Sequence, residues 1–223
     1  VLFISPPYAR FMGLENCRFP LTFGNMATIL SINRHETAIY DADFDPALLG
    51  RHGNYEYTFS NQHRIVEAVE DKNHYVWNEI KQQIEKFNPD IVGISTMTSK
   101  FPMAVRIAEI TKSVDSEIKT VIGGHHSSIF GAKLLYDKNI DFAVVGEGEI
   151  TFLELVNRMC EQDPDFSNID GLIYKSNGHI EATKPRELVK NLDILPMADR
   201  DLMLNENYVS ENNLIISRGC PFN

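Results

Sequence analysis

Short apolar runs alternate with longer amphipathic segments over the first two-thirds of the chain. The apolar runs are rich in β-branched residues and do not alternate with polar ones, which is typical of strands covered by helices on both faces. The pattern predicts five strands, at residues 1–5, 37–41, 90–95, 119–122 and 141–145. It predicts helices between and after them, at residues 22–33, 75–87, 101–113, 130–137 and 149–159.

This alternation of strand and helix predicts an α/β fold, a doubly wound, five-stranded parallel sheet built from βαβ units. Residues 43–72 break the pattern, with little periodicity and scattered aromatic side chains. We interpret them as a surface insertion and as a candidate lid.

The pattern changes after residue 163. Strand-like runs at 171–175 and 179–183 flank Asn177-Gly178, and Asn-Gly in this position is the strongest short signal for a β-hairpin. A connector punctuated by proline follows, and then an apolar run at 214–217. We therefore divide the chain into a main domain of residues 1–163, a small C-terminal β-hairpin annex with a linker at 164–212, and the first strand of a further domain at 213–223. Because a natural terminus is more often polar and frayed, we expect a cut inside a longer protein.

The charge balance narrows the class of partner. The chain has 21 basic and 31 acidic residues, a formal net charge of -10, which disfavours a nucleic-acid backbone or an anionic membrane surface. A small-molecule partner fits better. No apolar run approaches the roughly 18 to 20 residues of a membrane span, and no segment resembles a secretory signal. We expect a cytoplasmic protein.

Ligands of doubly wound sheets bind outside the carboxyl ends of the strands. The candidate binding residues at these ends are Pro6, Pro7 and Tyr8 after the first strand, Ser95, Thr96, Met97 and Thr98 after the third, Gly123, Gly124 and His125 after the fourth, and Gly146, Glu147 and Gly148 after the fifth. The first loop has neither the G-x-G-x-x-G nor the P-loop pattern, and its prolines withhold N–H donors, so a phosphate cradle is not expected there.

The hydroxyl groups of residues 95–99 suit an uncharged ligand with amides and ribose. Capping of the helix that begins at Phe101 explains any one of them equally well. Gly123-Gly124 permits a tight turn or a close approach of backbone to a ligand.

Two pairs of polar residues in these loops could be catalytic or metal-binding, but simpler explanations are favoured. His125 and His126 are disfavoured as metal ligands because adjacent side chains diverge and no third ligand is near in sequence. Glu147 and Glu149 form a possible acid–base pair, but Glu149 more simply complements the helix dipole.

Taken together and in this order, these segments resemble the cobalamin-binding domain that precedes the catalytic core of cobalamin-dependent radical S-adenosylmethionine (SAM) enzymes. The motifs that carry the resemblance are Pro6-Pro7, Gly123-Gly124-His125, Gly146-Glu147-Gly148-Glu149, Gly171-Leu172-Ile173-Tyr174, Leu192-Asp193-Ile194-Leu195-Pro196 and Ser217-Arg218-Gly219-Cys220-Pro221-Phe222. The resemblance covers nearly the whole chain except residues 43–72. It implies a flavodoxin-like, Rossmann-like fold that binds cobalamin at the carboxyl-edge loops.

The resemblance also implies that Cys220 begins a C-x-x-x-C-x-x-C motif, whose three thiolates hold a [4Fe-4S] cluster with one iron open to SAM. Cys220 would then be an iron–sulfur ligand only in a longer protein, and this chain by itself should lack radical activity. Cys17 and Cys160 are too distant in sequence to form a short ligand pair with it. In the whole protein the implied reaction is methyl transfer from methylcobalamin to a substrate carbon radical.

One departure concerns the lower face of the cobalt. Cobalamin-dependent methionine synthases and mutases carry D-x-H-x-x-G after the first strand, whereas this chain has Pro6-Pro7-Tyr8-Ala9-Arg10 there. We therefore expect cobalamin without a protein histidine on cobalt, with Tyr8, Arg10 or a side chain of the insertion facing the lower side of the corrin.

Two alternatives remain open at this stage. One is a radical cyclisation or rearrangement without methylation. Another is a stand-alone small-molecule binding module without catalysis. A phosphoacceptor receiver domain is disfavoured, because such domains need an aspartate at the end of the third strand, where Ser95 stands.

Overall fold

The computed structural model describes residues 1–209, 213–215 and 217–219. Seven strands form one sheet in the order β2-β1-β3-β4-β5-β6-β7. The strands are β1 (Leu2–Ser5), β2 (Ala38–Asp41), β3 (Ile91–Ser95), β4 (Lys119–Gly123), β5 (Phe142–Val144), β6 (Leu172–Ser176) and β7 (His179–Ala182). The helices are α1 (Leu21–Ile32), α2 (Tyr55–Ser60), α3 (His63–Glu70), α4 (Tyr75–Phe87), α5 (Phe101–Val114), α6 (His125–Phe130) and α7 (Gly148–Met159).

Strands β1 to β5 are parallel, and the strand order reverses at β1, which lies between β2 and β3. Phe3 of β1, for example, pairs with Ile39 on one side and Gly93 on the other. The predicted class, a doubly wound α/β fold with five parallel strands, is confirmed. The predicted end of each of these strands lies within one residue of the observed end.

The predicted hairpin is present, and it extends the sheet. β6 runs antiparallel to β5, with Ile173 opposite Ala143, and β7 runs antiparallel to β6. Asn177 and Gly178, between β6 and β7, have φ of 48° and 81°. A two-residue hairpin turn with both central residues at positive φ matches the twist of the flanking strands.

Helices cover both faces of the sheet. On one face α1 and α7 pack on Phe3, whose ring centroid lies 5.1 Å from that of Phe23 and 5.0 Å from that of Phe152. On the other face α4 and α5 pack on the alternate side chains of β1, with Trp77 among the fully buried residues. The unbroken apolar runs of the strands thus supply two cores.

The insertion at residues 43–72 contains α2 and α3, which the sequence pattern does not predict. The indole N–H of Trp77 donates to the carbonyl oxygen of Ala68 at 2.7 Å, which fastens α3 to α4. Tyr57 of α2 donates from its hydroxyl to the carbonyl of Met12 at 3.1 Å. The insertion therefore packs beside the loop after β1, and its role as a lid stays a prediction.

The helix predicted at residues 130–137 is present as a 3-10 helix, Gly131–Tyr136, and it is preceded by α6 at residues 125–130, which the sequence pattern does not predict. Gly131 has φ of 50° and ψ of -123°, a conformation outside the helical region, which ends α6 and prevents one continuous helix.

The chain after the hairpin crosses to the opposite edge of the sheet. Leu204 donates its backbone N–H to the carbonyl of Ile39 in β2 at 2.8 Å, next to an isolated parallel bridge between Ile39 and Met203. Of the strand predicted at 214–217, Leu214, Ile215 and Ser217 have no regular secondary structure, and Ile216 lies outside the described residues. None of the helices in the described part of the chain is both long and apolar enough to cross a membrane.

Candidate functional site

A cavity of about 550 Å³ opens at the carboxyl ends of β3, β4 and β5. It lies on the face of the sheet covered by α1 and α7, and its walls come from these strands, from these helices and from Ile215, Ser217, Arg218 and Gly219. Ligand pockets in proteins typically have volumes of about 300 to 1,000 Å³. The cavity therefore has the size of a small-molecule site.

The inner wall is apolar, with Phe23 and Met26 from α1 and Phe152 from α7. Gly93 in the middle of β3 contributes to the floor. A Cβ atom on Gly93 would lie 2.6 Å from Cδ1 of Phe3, so the glycine leaves space for the Phe3 ring. Aromatic rings and a flexible thioether form a surface on which a flat apolar group can pack.

Glycines form the rim of the cavity. A Cβ on Gly123 or Gly148 would meet no atom closer than 3.9 Å and 3.4 Å respectively, so both positions have space for a side chain. Gly124 and Gly146 have φ of 92° and 80°, in the region that glycine adopts without strain. The rim therefore exposes backbone to an incoming ligand.

An ion-pair cluster forms another wall. Arg218 donates from Nη2 to Oε1 of Glu149 at 2.5 Å and from Nη1 to Oε1 of Glu147 at 3.4 Å. The side chain of Glu149 is only 3% exposed. Burial alone lowers the pKa of Arg218, but the hydrogen bond and charge of Glu149, with those of Glu147, raise it above its ordinary value. Glu149 lies in the first turn of α7, as predicted, and its charge is balanced by an arginine as well as by the helix dipole.

The structure brings most of the predicted binding residues to this cavity. The predicted residues that line it are Ser95, Gly123, Gly124, His125, Gly146, Glu147 and Gly148. The others lie along the same edge of the sheet without lining it: Pro6, Pro7 and Thr96 are buried, Met97 and Thr98 are exposed, and Tyr8 is partly exposed.

The loop after β1 is held by buried charges. The backbone N–H groups of Tyr8 and Arg10 donate to Oδ1 of Asp43 at 2.5 and 3.0 Å. The guanidinium of Arg10 is buried and pairs with Asp45 at 3.2 Å and Glu79 at 2.7 Å. Arg10 is thus committed to these carboxylates, which leaves Tyr8 as the candidate of this loop for the lower side of the corrin.

The two adjacent histidines have different environments. His126 is buried between the rings of Phe101 and Phe130, at centroid distances of 4.2 and 4.3 Å, and burial lowers its pKa. His125 is exposed and lines the cavity. Within the described residues, no group of three or more His, Cys, Asp or Glu side chains is placed to hold a metal ion.

The hydroxyl groups of the loop after β3 do not cap the next helix. α5 begins without a side-chain hydrogen bond at its N-terminus. Thr96 donates instead to the carbonyl of Met97 at 2.8 Å, and Oγ1 of Thr98 lies 3.1 Å from Nδ1 of His126. The capping alternative is therefore wrong, whereas Ser95 lines the cavity.

The sequence pattern does not predict the apolar wall that α1 and α7 contribute to the cavity, and it contains Arg218 only within the motif Ser217-Arg218-Gly219-Cys220-Pro221-Phe222. Phe23, Met26 and Phe152 have the spacing of ordinary core residues, so nothing in the pattern separates them from the core. The predicted iron ligand, Cys220, lies outside the described residues.

The fold and the site together define a class of protein, the doubly wound α/β domains with a ligand cavity at the carboxyl edge of their parallel strands. Residues 19–156 match the family model of the B12 binding domain. The chain belongs to this family, and cobalamin is the family's cofactor.

Two curated relatives align with about two thirds of the chain. The chain is 36% identical over 152 residues to the uncharacterized methyltransferase PH0819 of Pyrococcus horikoshii, an alignment that covers 66% of this chain and 33% of that protein. It is 31% identical over 156 residues to the anaerobic magnesium-protoporphyrin IX monomethyl ester cyclase of Rubrivivax gelatinosus, covering 65% of this chain and 28% of that protein. The chain thus spans a third or less of the length of these relatives.

A solved structure shares the fold. The radical SAM methyltransferase TsrM from Kitasatospora setae, with cobalamin and a [4Fe-4S] cluster bound, superposes with a TM-score of 0.53 at 18% identity. The match covers 89% of this chain and 31% of TsrM. The family match confirms the cobalamin-binding domain that the resemblance implies, and the fold of this domain is shared with TsrM.

Proposed function

We propose that this chain holds cobalamin with the nucleotide tail in the 550 Å³ cavity and the corrin ring against the loops at the carboxyl edge of the sheet. The cavity is the observation that carries the proposal. It is too small for the whole cofactor but has the right size for its nucleotide tail. The aromatic wall suits a benzimidazole base, and the glycine rim lets backbone approach a ribose or an amide.

The residues proposed to hold the tail are those that line the cavity. Ser95 offers a hydroxyl, Gly123, Gly124 and Gly146 offer backbone groups, and His125 an exposed ring. These groups are uncharged or weakly basic, which suits the amide- and hydroxyl-rich surface of cobalamin.

The other predicted residues are proposed to form the platform beneath the corrin. Pro6 and Pro7 are buried and stiff, Thr96 is buried, and Tyr8, Met97 and Thr98 present accessible side chains at the same edge. The loop between β1 and α1 contains no histidine, so the proposal retains cobalamin without a protein ligand on cobalt.

We further propose that the whole protein is a radical SAM methyltransferase acting on a small molecule. Bound cobalamin would supply a methyl group for transfer to a substrate carbon. A [4Fe-4S] cluster, with Cys220 as one ligand, and SAM would complete the machinery in the longer protein. The role of the present chain is to bind and orient the cofactor and to exclude water from its tail. A cytoplasmic location is part of this proposal, because the reducing cytosol favours cysteine thiolates over disulfides.

The cyclase relative favours a second candidate, a radical cyclisation or rearrangement without methylation. The two candidates differ in the fate of a methyl group. Incubation of the full-length protein with a candidate substrate and SAM labelled on its methyl carbon decides between them: label in the substrate product supports methyl transfer, and a rearranged unlabelled product supports the second candidate.

Gel filtration of the purified chain after mixing with hydroxocobalamin tests the binding proposal. We expect a coloured protein peak. The variant Gly123→Val places a branched side chain at the cavity rim and should weaken binding by about tenfold or more. Ser176→Val, at the end of β6 and away from the cavity lining, is the matched control and should bind like the wild type. A colourless wild-type peak at micromolar concentrations would overturn the proposal.

A further inference from the structure

Arg218 lies where three distant segments of the chain meet. Its two terminal nitrogens contact Glu149 and Glu147, at the start of α7. The second oxygen of Glu147 accepts the backbone N–H of Val189 at 2.6 Å. The loop between β5 and α7 therefore fastens both the connector after the hairpin and the segment that precedes Cys220 in sequence.

The contact with Glu149 is costly to break. The carboxylate of Glu149 is 3% exposed, and Arg218 itself is 22% exposed in its side chain. A buried carboxylate that loses its cationic partner keeps its desolvation penalty without compensation, so removal of one partner of such a pair is strongly destabilising. The two residues consequently favour a single docked arrangement.

The same ion pair forms part of the cavity wall. Arg218, Glu147 and Glu149 all line the cavity, together with the neighbouring Ser217 and Gly219. If Arg218 leaves its carboxylates, the cavity loses one wall. A ligand that fills the cavity therefore binds the docked arrangement better than the undocked one, and by reciprocity it stabilises the docked arrangement by the same factor.

We propose that Glu147 and Glu149 dock Arg218 as a positioning residue, so that occupancy of the cavity and the placement of the segment leading to Cys220 depend on each other. The identity of the occupant, cobalamin, rests on the proposed function. We call the ion pairs of Arg218 with Glu147 and Glu149 the dock. The dock couples the two cofactor regions of the whole protein: a filled cavity holds residues 217–219 against the domain, and loss of these ion pairs weakens binding in the cavity.

The dock itself is tested without ligand by amide hydrogen exchange of the peptide that contains residues 217–219. Arg218→Met and Glu149→Gln should each speed the exchange of this peptide at least about threefold. The double variant should exchange no faster than Arg218→Met, because both substitutions break the same contact, that between Arg218 and Glu149. Glu154→Gln is the matched control on the same helix: Glu154 pairs with Arg186 and does not line the cavity. It should leave exchange of residues 217–219 unchanged.

A measurement of stability separates the loss of the ion pair from the loss of side-chain packing. Arg218→Met leaves the carboxylate of Glu149 buried and unpaired, so its urea midpoint should fall, and addition of Glu149→Gln should restore part of the loss. If the double variant is less stable than Arg218→Met, or if exchange of residues 217–219 is the same in wild type and both single variants, the dock does not exist.

Hydroxocobalamin is the probe for the coupling. It should slow exchange of residues 217–219 in the wild type, and Arg218→Met should bind it about tenfold more weakly than Glu154→Gln does. If hydroxocobalamin binds the wild type with no change in this exchange, the coupling is refuted while the cobalamin proposal survives. If hydroxocobalamin fails to bind the wild type, the proposed function and the coupling to cobalamin are both refuted. Hydrogen exchange in the ligand-free variants still shows whether the ion pairs of Arg218 hold residues 217–219.

Discussion

The hydroxyl of Tyr208 donates a hydrogen bond to the carboxylate of Asp41, with 3.0 Å between Oη and Oδ2, although the two residues are 167 positions apart in sequence. Asp41 is fully buried at the carboxyl end of β2. Asn205 bonds to its backbone on both sides, accepting from N–H at 2.8 Å and donating to the carbonyl at 2.9 Å. These contacts fasten the connector to the edge strand of the sheet.

The buried carboxylate of Asp41 makes the stability of the fold depend on pH. Burial first, and the charge of Asp43 second, raise the pKa of Asp41 to about 7 from its ordinary value of 3.8, against the lowering effect of the Tyr208 hydrogen bond. The folded state therefore binds more protons than the unfolded state between these two values, so Asp41 costs stability progressively as the pH rises from about 4 to about 7. At 1.36 kcal/mol per pKa unit, the full effect is about 4 kcal/mol at most.

The variant Asp41→Asn should remove this dependence, since an amide fills the same space without titrating. The free energy of unfolding is measured with urea for both proteins at pH 5 and at pH 8. Between these pH values the wild type should lose stability relative to Asp41→Asn. Tyr208→Phe deletes the hydrogen bond that favours the ionised form of Asp41, so it should extend the sensitive range to higher pH while its lower end stays near pH 4. A difference between wild type and Asp41→Asn that does not change with pH would contradict the assignment.

The loop after β1 depends on one buried carboxylate, and its loss should be costly. Oδ2 of Asp43 lies 3.1 Å from Nζ of Lys100, which also donates to the carbonyl of Pro6 at 3.1 Å, while Oδ1 accepts two backbone N–H groups. Asp43→Ala leaves all of these donors without their acceptor and should destabilise the fold by about 3 to 5 kcal/mol. The midpoint of urea unfolding is the measurement.

Lys100→Met is expected to cost less than Asp43→Ala, because the carboxylate keeps its two backbone donors. Lys81→Met serves as the surface control: Lys81 is half exposed and pairs with Glu85 one helical turn away, so its loss should cost no more than about 0.5 kcal/mol. Equal losses for Asp43→Ala and Lys81→Met would show that the buried cluster contributes nothing to stability.

The parts of the fold that were predictable are those with a local signal. The strands appear as β-branched runs because both faces of the sheet are covered, and Asn177-Gly178 indicates the hairpin because both residues tolerate positive φ. α6 has only six residues, too few to show an amphipathic period, so the pattern does not reveal it.

The sequence predicts the residues that the loops contribute to the candidate site, but it does not predict the residues that the helices contribute. The carboxyl-edge rule finds Ser95 and Gly123, because it concerns where parallel strands end. It does not find Met26, whose exposure to the cavity depends on how α1 and α7 pack over the sheet. The pairing of Arg218 with Glu149 joins residues 69 positions apart, and no local spacing encodes such a contact.

The adjacent glycines at the end of β4 should respond differently to alanine, because only Gly123 has space for a side chain. At Gly124 a Cβ would lie 2.7 Å from the carbonyl oxygen of Thr96 and 2.9 Å from Oγ of Ser95, and the residue has φ of 92°. Gly124→Ala therefore meets both steric overlap and backbone strain, and it should lower the free energy of unfolding by about 2 kcal/mol or more.

Gly123→Ala, at the last residue of β4, is the matched control. Its Cβ would meet nothing closer than 3.9 Å, so the free energy of unfolding should change by less than about 1 kcal/mol, with a gain possible from the reduced freedom of the unfolded chain. Urea unfolding of the two variants side by side is the measurement. Because the residues are neighbours, equal losses would mean that the loop after β4 does not have the conformation on which the cavity rim depends, and the placement of a cofactor tail against Gly123 would lose its structural basis.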